Sequence, residues 1–359
     1  MDRTKRTPAK PNTPAPATLV LTRADIATLM TRADDLAAAE EAFIALAQGR
    51  ALSPPPLHIP ADGGGFHAKG ARLQARDGKA YAALKLNGNF PGNPASRLPT
   101  IQGAILLSNA ANGCLLAIMD SIEVTLRRTA AATVLAARYL ATGDAATLTI
   151  CGCGDQGRAQ LEALAHDRKL NRVFAWDASA GARETFASEM SARLRLEILP
   201  TADLRDAARQ SDVIVTCTTA RAPFLSAEHV RPGTFIAAVG ADSHDKSEIA
   251  PALMARGKVV VDVLDQCLAI GDLHHAVSAG VMTAQDVHAT LADIASARKP
   301  GRTGDDEITL FDSTGTAVQD VAAAIRIYER AKAQNLGLSR RFGDAPTTDT
   351  ELTYEACTD

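Results

Sequence analysis

Gly152-Cys153-Gly154-Asp155-Gln156-Gly157 carries the spacing G-x-G-x-x-G directly behind Thr147-Leu148-Thr149-Ile150-Cys151, a short apolar run that reads as a buried strand. The chemistry this spacing serves is the holding of a dinucleotide. Gly152 makes the tight turn, Gly154 lets a pyrophosphate approach the backbone, and Gly157 lets the next helix pack closely on the strand. The helix beginning near Asp155 then turns its free N–H groups toward the phosphates. Alone, the pattern is as readily an ordinary turn; its context lifts it. Arg172-Val173-Phe174-Ala175-Trp176 reads as a second strand ending on Asp177, about where a carboxylate accepts hydrogen bonds from an adenosine ribose. That carboxylate would repel a 2′-phosphate, and Ala178-Ser179-Ala180 supplies no arginine, so the expected cofactor is NAD(H) rather than NADP(H).

Such a loop needs a sheet to hold it, and the chain downstream provides one. Asp212–Cys217, Thr234–Val239, Lys258–Asp262 and Ile308–Asp312 read as strands alternating with helical segments, the order of a parallel, doubly wound sheet. Ligands bind outside the carboxyl ends of such strands, which singles out Thr218 and Gly240-Ala241-Asp242. Upstream the periodicity differs. From Leu57 to Asp120 it is two, with strands expected over Gly65–Lys69, Ala82–Asn87, Gly103–Leu107 and Leu115–Met119, and hairpin turns at Asp77-Gly78 and Asn112-Gly113. In that antiparallel sheet Lys85 and Asn87 share a face, as do His67 and Lys69. Leu19 to Gln48 carries helical spacing and is expected as one helix closed by Gly49. Glu123 to Leu140 is an alanine-rich helix leading to the glycine turn. A helix from about Thr316 to Gln334 is expected to pack back on the antiparallel sheet.

The fold expected is therefore α/β: a Rossmann-type dinucleotide-binding domain over 131–315, inserted in an α+β substrate-binding and dimerisation domain over 18–130 and 316–359. Residues 1–17, with Pro8, Pro11, Pro14 and Pro16, are expected as a disordered arm. At 359 residues the chain has room for two domains, and 38 basic against 41 acidic residues ask for neither nucleic acid nor an anionic membrane. No apolar run is long enough for a membrane span or a secretion signal, so the expected setting is soluble and cytoplasmic. Cys151 and Cys153 lie inside the glycine turn, where a disulfide or metal would block phosphate; free thiols are the better reading. His274 and His275 are adjacent on a helix, point apart and lack a third ligand at metal-site spacing, so no metal is expected.

With these segments in hand, the chain resembles the ornithine cyclodeaminase/μ-crystallin family from about Leu57 to Tyr328. The resemblance is carried by KLNGNFPGNPASRLPTIQG (Lys85 to Gly103), TLRRTAA (Thr125 to Ala131), CGCGDQG, VGADSHDKSE (Val239 to Glu248) and GRTGDDEITLFDSTG (Gly301 to Gly315). It implies a homodimer in which the antiparallel sheets of two subunits associate, with substrate between the two domains of each. It also implies roles. Lys85 and Arg128 match carboxylate-binding positions, Lys85 being also catalytic; Asp242 matches the acid/base position; Thr314 is taken as a substrate contact. Thr100, Asp155, Gln156, Asp177, Thr218, Val239, Gly240, Lys246 and Ser313, with the three loop glycines, match the cofactor site.

The departures bear on the substrate. Family members that cyclise ornithine carry an arginine where this chain has Pro56 and a glutamate that falls near Phe66, and a cationic amine beside a phenyl ring has no carboxylate partner. Lys69 is a candidate replacement for the arginine as substrate anchor; equally, His67 and Lys69 face solvent. Three readings stand. One is cyclodeamination of L-ornithine to proline and ammonia with the hydride returned. Another is reduction of a cyclic imine such as 1-pyrroline-2-carboxylate, or another amino-acid dehydrogenase activity. The third is a μ-crystallin-like binding protein, against which the acid/base group Asp242 argues.

Overall fold

A computed structural model describes residues 17–341, so the arm expected over 1–17 lies outside the described residues apart from its last position, as does the segment 342–359. The chain opens with β1 (Thr18–Leu21), α1 (Arg23–Leu29) and α2 (Arg32–Ala47). It continues through β2 (Ala51–Leu52), β3 (Leu57–Ala61), β4 (Gly64–Gln74), β5 (Ala80–Asn89), β6 (Ile101–Asn109) and β7 (Leu115–Asp120) to α3 (Ser121–Leu140). The single helix expected over Leu19–Gln48 is thus a strand and two helices. Its breaks are chemical: Thr22 and Thr31 each cap a helix while Asp25 and Asp34 return the bond, two capping boxes written twice as Thr-Arg-Ala-Asp. Gly49 does close the second helix, at φ +69°.

The alternation that follows begins with β8 (Thr147–Cys151), α4 (Asp155–Asp167), β9 (Arg172–Trp176), α5 (Ala180–Leu194), β10 (Ile198–Thr201), α6 (Leu204–Gln210) and β11 (Val213–Thr216). It proceeds through β12 (Phe235–Ala238), α7 (Pro251–Arg256), β13 (Lys258–Val261), α8 (Leu264–Ile270), α9 (Asp272–Ser278), β14 (Ala289–Thr290), α10 (Leu291–Ala295) and β15 (Thr309–Asp312). Then α11 (Ala317–Gln334) and β16 (Leu338–Arg340) return to the first sheet.

Two sheets result. The first runs β16-β1-β7-β6-β5-β4-β2, with β3 on β4, and is antiparallel except where β1 meets β7. The second, β10-β9-β8-β11-β12-β15-β13-β14, is parallel throughout. Its strand order reverses between β8 and β11, the crevice where a dinucleotide lies in such sheets.

Two amphipathic helices join the layers. The first turn of α3 buries Val124 with the antiparallel sheet, and the rest, Ala130 to Leu140, packs with Leu148, Ile150 and Phe235 of the parallel one. On α2, Ala38 and Ala42 face the first core and Ala39 and Phe43 the second. The alanines of α11 allow it to lie close on the inner face of the antiparallel sheet against Ile105, Leu107 and Tyr81. That same face continues beyond the helix as the wall of a cleft.

Candidate functional site

The wall is set by register. Lys69 on β4 lies opposite Lys85 on β5, and His67 opposite Asn87, so all four side chains share the cleft face. Alternation turns Phe66 to the other side, where its ring meets Phe90 at 5.5 Å. The side chain aimed at the cleft is therefore that of His67 rather than Phe66.

Lys85 is only 4% exposed and Arg128 8%, yet both are charged-partner residues of a single carboxylate, Asp320 on α11. Lys85 Nζ lies 2.7 Å from Asp320 Oδ2 and donates to Thr125 Oγ1 at 3.3 Å; Arg128 Nε donates to Asp320 Oδ1 at 3.2 Å. Gly315 makes room for the guanidinium: at φ +79° it accepts no side chain without strain, and a Cβ there would fall 2.7 Å from Arg128 Nη1. Burial works to raise the Asp320 carboxyl, but Lys85 and Arg128 outweigh it and hold it below its ordinary value. Burial pushes Lys85 down to about 8, helped by Arg128 and Lys69 and opposed by Asp320.

Lys69 does not face solvent. Its ammonium donates to the carbonyls of Thr314 (3.1 Å) and Gly315 (3.0 Å), and burial, then Arg128, lowers its pKa. It stands between the two halves of the cleft, within electrostatic reach of both Arg128 and Asp242. Thr314 is placed differently from expectation. Its hydroxyl donates to Asp262 at 3.2 Å and accepts from Gln266 at 2.7 Å, so the cleft receives its carbonyl, not its side chain. Ser313 is likewise turned inward, donating to Asp262 at 3.1 Å.

Across from this wall, past the end of β12, Asp242 pairs with Lys246 at 2.5 Å. Desolvation acts to raise its carboxyl, while Lys246, Lys69 and His67 lower it. Because the side chain keeps 52% of its surface open, the cations decide the balance and Asp242 is ionised at neutral pH. His67 is held low by burial and by His58, whose ring centroid is 4.6 Å away.

The nucleotide side is built as the glycine spacing requires. Gly152 sits at φ +106°, and a Cβ on Gly157 would lie 2.1 Å from the Gly152 carbonyl, so the helix packs on the turn as expected. A Cβ on Gly154 would meet nothing within 4 Å, leaving the backbone open to a phosphate. Gly154 also caps α4 without a side-chain bond, so the N–H groups at Asp155 and Gln156 are offered outward, and the buried Gln156 amide nitrogen makes no hydrogen bond. Asp177 accepts from the Cys153 and Ser179 N–H groups, both at 2.9 Å, which fixes its carboxylate beside the loop. These residues fit a dinucleotide.

Thr218, Val239 and Gly240 lie at the carboxyl ends of β11 and β12. Thr100 precedes β6, its carbonyl accepting from Phe90 at 2.8 Å. His274 and His275 are engaged with the Leu268 and Lys246 carbonyls. The residues the sequence reading missed are Asp320, Asp262 and Glu248. A signal existed for each. Asp320 is the one acid in the apolar turn Ala317–Ile325, and Asp262 ends an apolar strand as Asp312 ends the next. Glu248 closes a motif already singled out.

The family model described as the ornithine cyclodeaminase/mu-crystallin family matches residues 17–335. An alanine dehydrogenase of Archaeoglobus fulgidus is 38% identical over 326 residues, 90% of this chain and 98% of that one. An iminosuccinate reductase of Paracoccus denitrificans is 32% identical, covering 88% and 97%. Among solved structures, an archaeal alanine dehydrogenase dimer with bound NAD superposes with a TM-score of 0.86 at 38% identity, covering 91% of this chain and 99% of that one. Delta(1)-pyrroline-2-carboxylate reductase of Thermococcus litoralis, in complex with NADH and L-proline, gives 0.85 at 32% identity, covering 89% and 99%.

Proposed function

This chain belongs to the ornithine cyclodeaminase/mu-crystallin family and is an NAD(H)-dependent enzyme moving hydride at the α-carbon of an amino or imino acid, and we propose that it runs as an imine reductase on a small imine bearing a carboxylate. The observation that carries this reading is the charge of the cleft wall. Lys69, Lys85 and Arg128 gather round Asp320, which is already shared by two of them; the other acids within reach of Lys69 are engaged elsewhere, Asp242 by Lys246 and Asp262 by Ser313, Thr314 and the Gly315 N–H. The wall thus has a net positive charge suited to a carboxylate, and no carboxylate seen on this wall among the described residues is left to receive a side-chain ammonium.

Bound NADH supplies the hydride; the residues supply the rest. Lys85 and Arg128 grip the substrate carboxylate, with Lys69 beside them, and so orient the neighbouring C=N carbon. Asp242, held ionised, stabilises the protonated imine nitrogen during reduction and takes a proton from the amine in the reverse direction. Thr218, Val239, Gly240 and Lys246 line the cofactor side, Thr100 completing it from the other sheet, while Ser313 ties the end of β15 to Asp262.

Consumption of NADH, followed by absorbance, on adding 1-pyrroline-2-carboxylate or pyruvate with ammonia is the expected result. Ammonia released from ornithine with no net change in NADH would replace this reading with cyclodeamination. Asp242→Asn should lower kcat by roughly 10²–10⁴-fold, the usual worth of a positioned acid/base group, with NADH binding retained. Wild-type turnover in that variant would remove Asp242 from the mechanism.

The subunit is proposed to act as a homodimer. The outer face of the antiparallel sheet exposes Leu84, Leu86 and Leu106, at 46%, 43% and 38%, in neighbouring register positions on β5 and β6. A cytoplasmic setting is proposed on the buried free thiols Cys151 and Cys153.

A further inference from the structure

We propose that Glu248 is the positioning residue for the nicotinamide half of the cofactor, tying the ends of β11 and β12 together so that Thr218 and Gly240 meet the cofactor at a fixed spacing. The proposal rests on the NAD(H) reading of the cleft. Asp177, after β9, marks the adenosine end and the glycine loop after β8 marks the pyrophosphate, so a dinucleotide laid across the sheet carries its nicotinamide toward β11 and β12. Glu248 lies beneath that end and is fully buried.

Its carboxylate serves both strands, Oε1 the end of β11 alone and Oε2 both β11 and the end of β12. Oε1 accepts from the Thr218 N–H at 2.6 Å and the Thr218 hydroxyl at 2.7 Å. Oε2 accepts from the Thr216 hydroxyl at 2.7 Å and from the Gly240 N–H at 3.0 Å. The fit to Gly240 is close: a Cβ there would fall 2.5 Å from the Glu248 carboxyl carbon and from both oxygens. The clamp is itself anchored. Asp272 accepts from the Glu248 and Ile249 N–H groups at 2.8 and 3.0 Å, and the Glu248 carbonyl accepts from Phe224 and Leu225 at 3.0 and 3.1 Å. Burial and Asp272 push the carboxyl up to about 7, so the four donors are retained against a desolvation cost. A side chain serving only the core at this place would be apolar. Because no part of Glu248 reaches the cleft surface, it acts through Thr218 and Gly240 rather than on the reacting atoms.

Glu248→Gln keeps the shape but turns an NH₂ group toward one pair of donors, so one strand end must let go. NADH affinity is read from energy transfer out of Trp176, the single tryptophan, which ends β9 beside the loop. The expected result is an NADH Kd raised about ten-fold, with substrate KM at saturating NADH within two-fold of wild type, since Lys85, Arg128 and Lys69 touch no part of the clamp. Thr216→Val removes a single donor and should raise the Kd by about three-fold, in a variant whose circular dichroism and melting show it folded. Unchanged NADH affinity in both variants would overturn the proposal, as would equal losses of cofactor and substrate affinity, the mark of a merely structural role. If Glu248→Gln does not fold, Thr216→Val decides alone. A wild-type chain that fails to bind NADH removes the functional reading itself and this proposal with it.

Discussion

In the proposed mechanism Lys85 carries the charge that grips the substrate carboxylate, and it carries it only over part of the pH range. Burial brings its pKa to about 8, so the ammonium is present below that value and lost above it. Since kcat/KM reports ionisations of the free enzyme, the reductive kcat/KM should fall by up to ten-fold per pH unit above about 8. Asp320 works against that loss. Asp320→Asn leaves Lys85, Arg128 and Lys69 to repel one another, and the break in the profile should move to lower pH by about one unit or more. Comparing the two enzymes on one substrate cancels the substrate's own ionisation, and a break that stays in place would show that Lys85 does not set it. The two cations could be found from the sequence because a motif flanked them. Asp320 could not, because its partners are 235 and 192 positions away, and nothing local says which acid on a helix turns inward. Thr314 shows the converse limit: its type suggested a hydroxyl contact, but the direction of that hydroxyl depends on Asp262, which folding alone brings near.

At the scale of elements, periodicity was readable wherever one face is buried. The four central strands of the antiparallel sheet, β4 to β7, and six of the eight parallel strands stand where their patterns predict, and the turns Asp77-Gly78 and Asn112-Gly113 place both glycines at positive φ; the short strands β1, β2, β3, β10, β14 and β16 carry too few residues to show a period. The pairing of β4 with β5 was not readable, since only register shows that Lys69 and Lys85 are opposite neighbours. The break between α1 and α2 was readable but obscured, because apolar spacing runs through both helices while the repeated Thr-Arg-Ala-Asp signals the stop. The loop after β9 offers a test at this scale. Asp177 holds the Cys153 and Ser179 N–H groups, and Arg183 already donates to the Asp177 carbonyl at 3.2 Å. Asp177→Ala removes the charge that repels a 2′-phosphate and leaves Arg183 as the nearby cation. The ratio of NADH to NADPH kcat/KM should fall by about ten-fold or more, the effect of losing one charged contact. An unchanged ratio would move the ribose contact elsewhere.

For the whole molecule, the outer sheet face makes a prediction separate from the chemistry. Leu84→Arg places a charge in the middle of the exposed apolar patch, and by sedimentation the assembly should shift from dimer to monomer while a lone subunit keeps its circular dichroism. A wild-type chain that sediments as a monomer at micromolar concentration would remove the dimer. The architecture also has a consequence in time. Every strand of the parallel sheet is in place once the chain has been made through Asp312, but the antiparallel sheet still lacks α11, its inner cover, and β16, its edge. A chain emerging from the ribosome can therefore complete its nucleotide cradle early. Lys85 and Arg128 meanwhile wait without their counter-ion Asp320, so this cationic wall is the last part of the enzyme to be born.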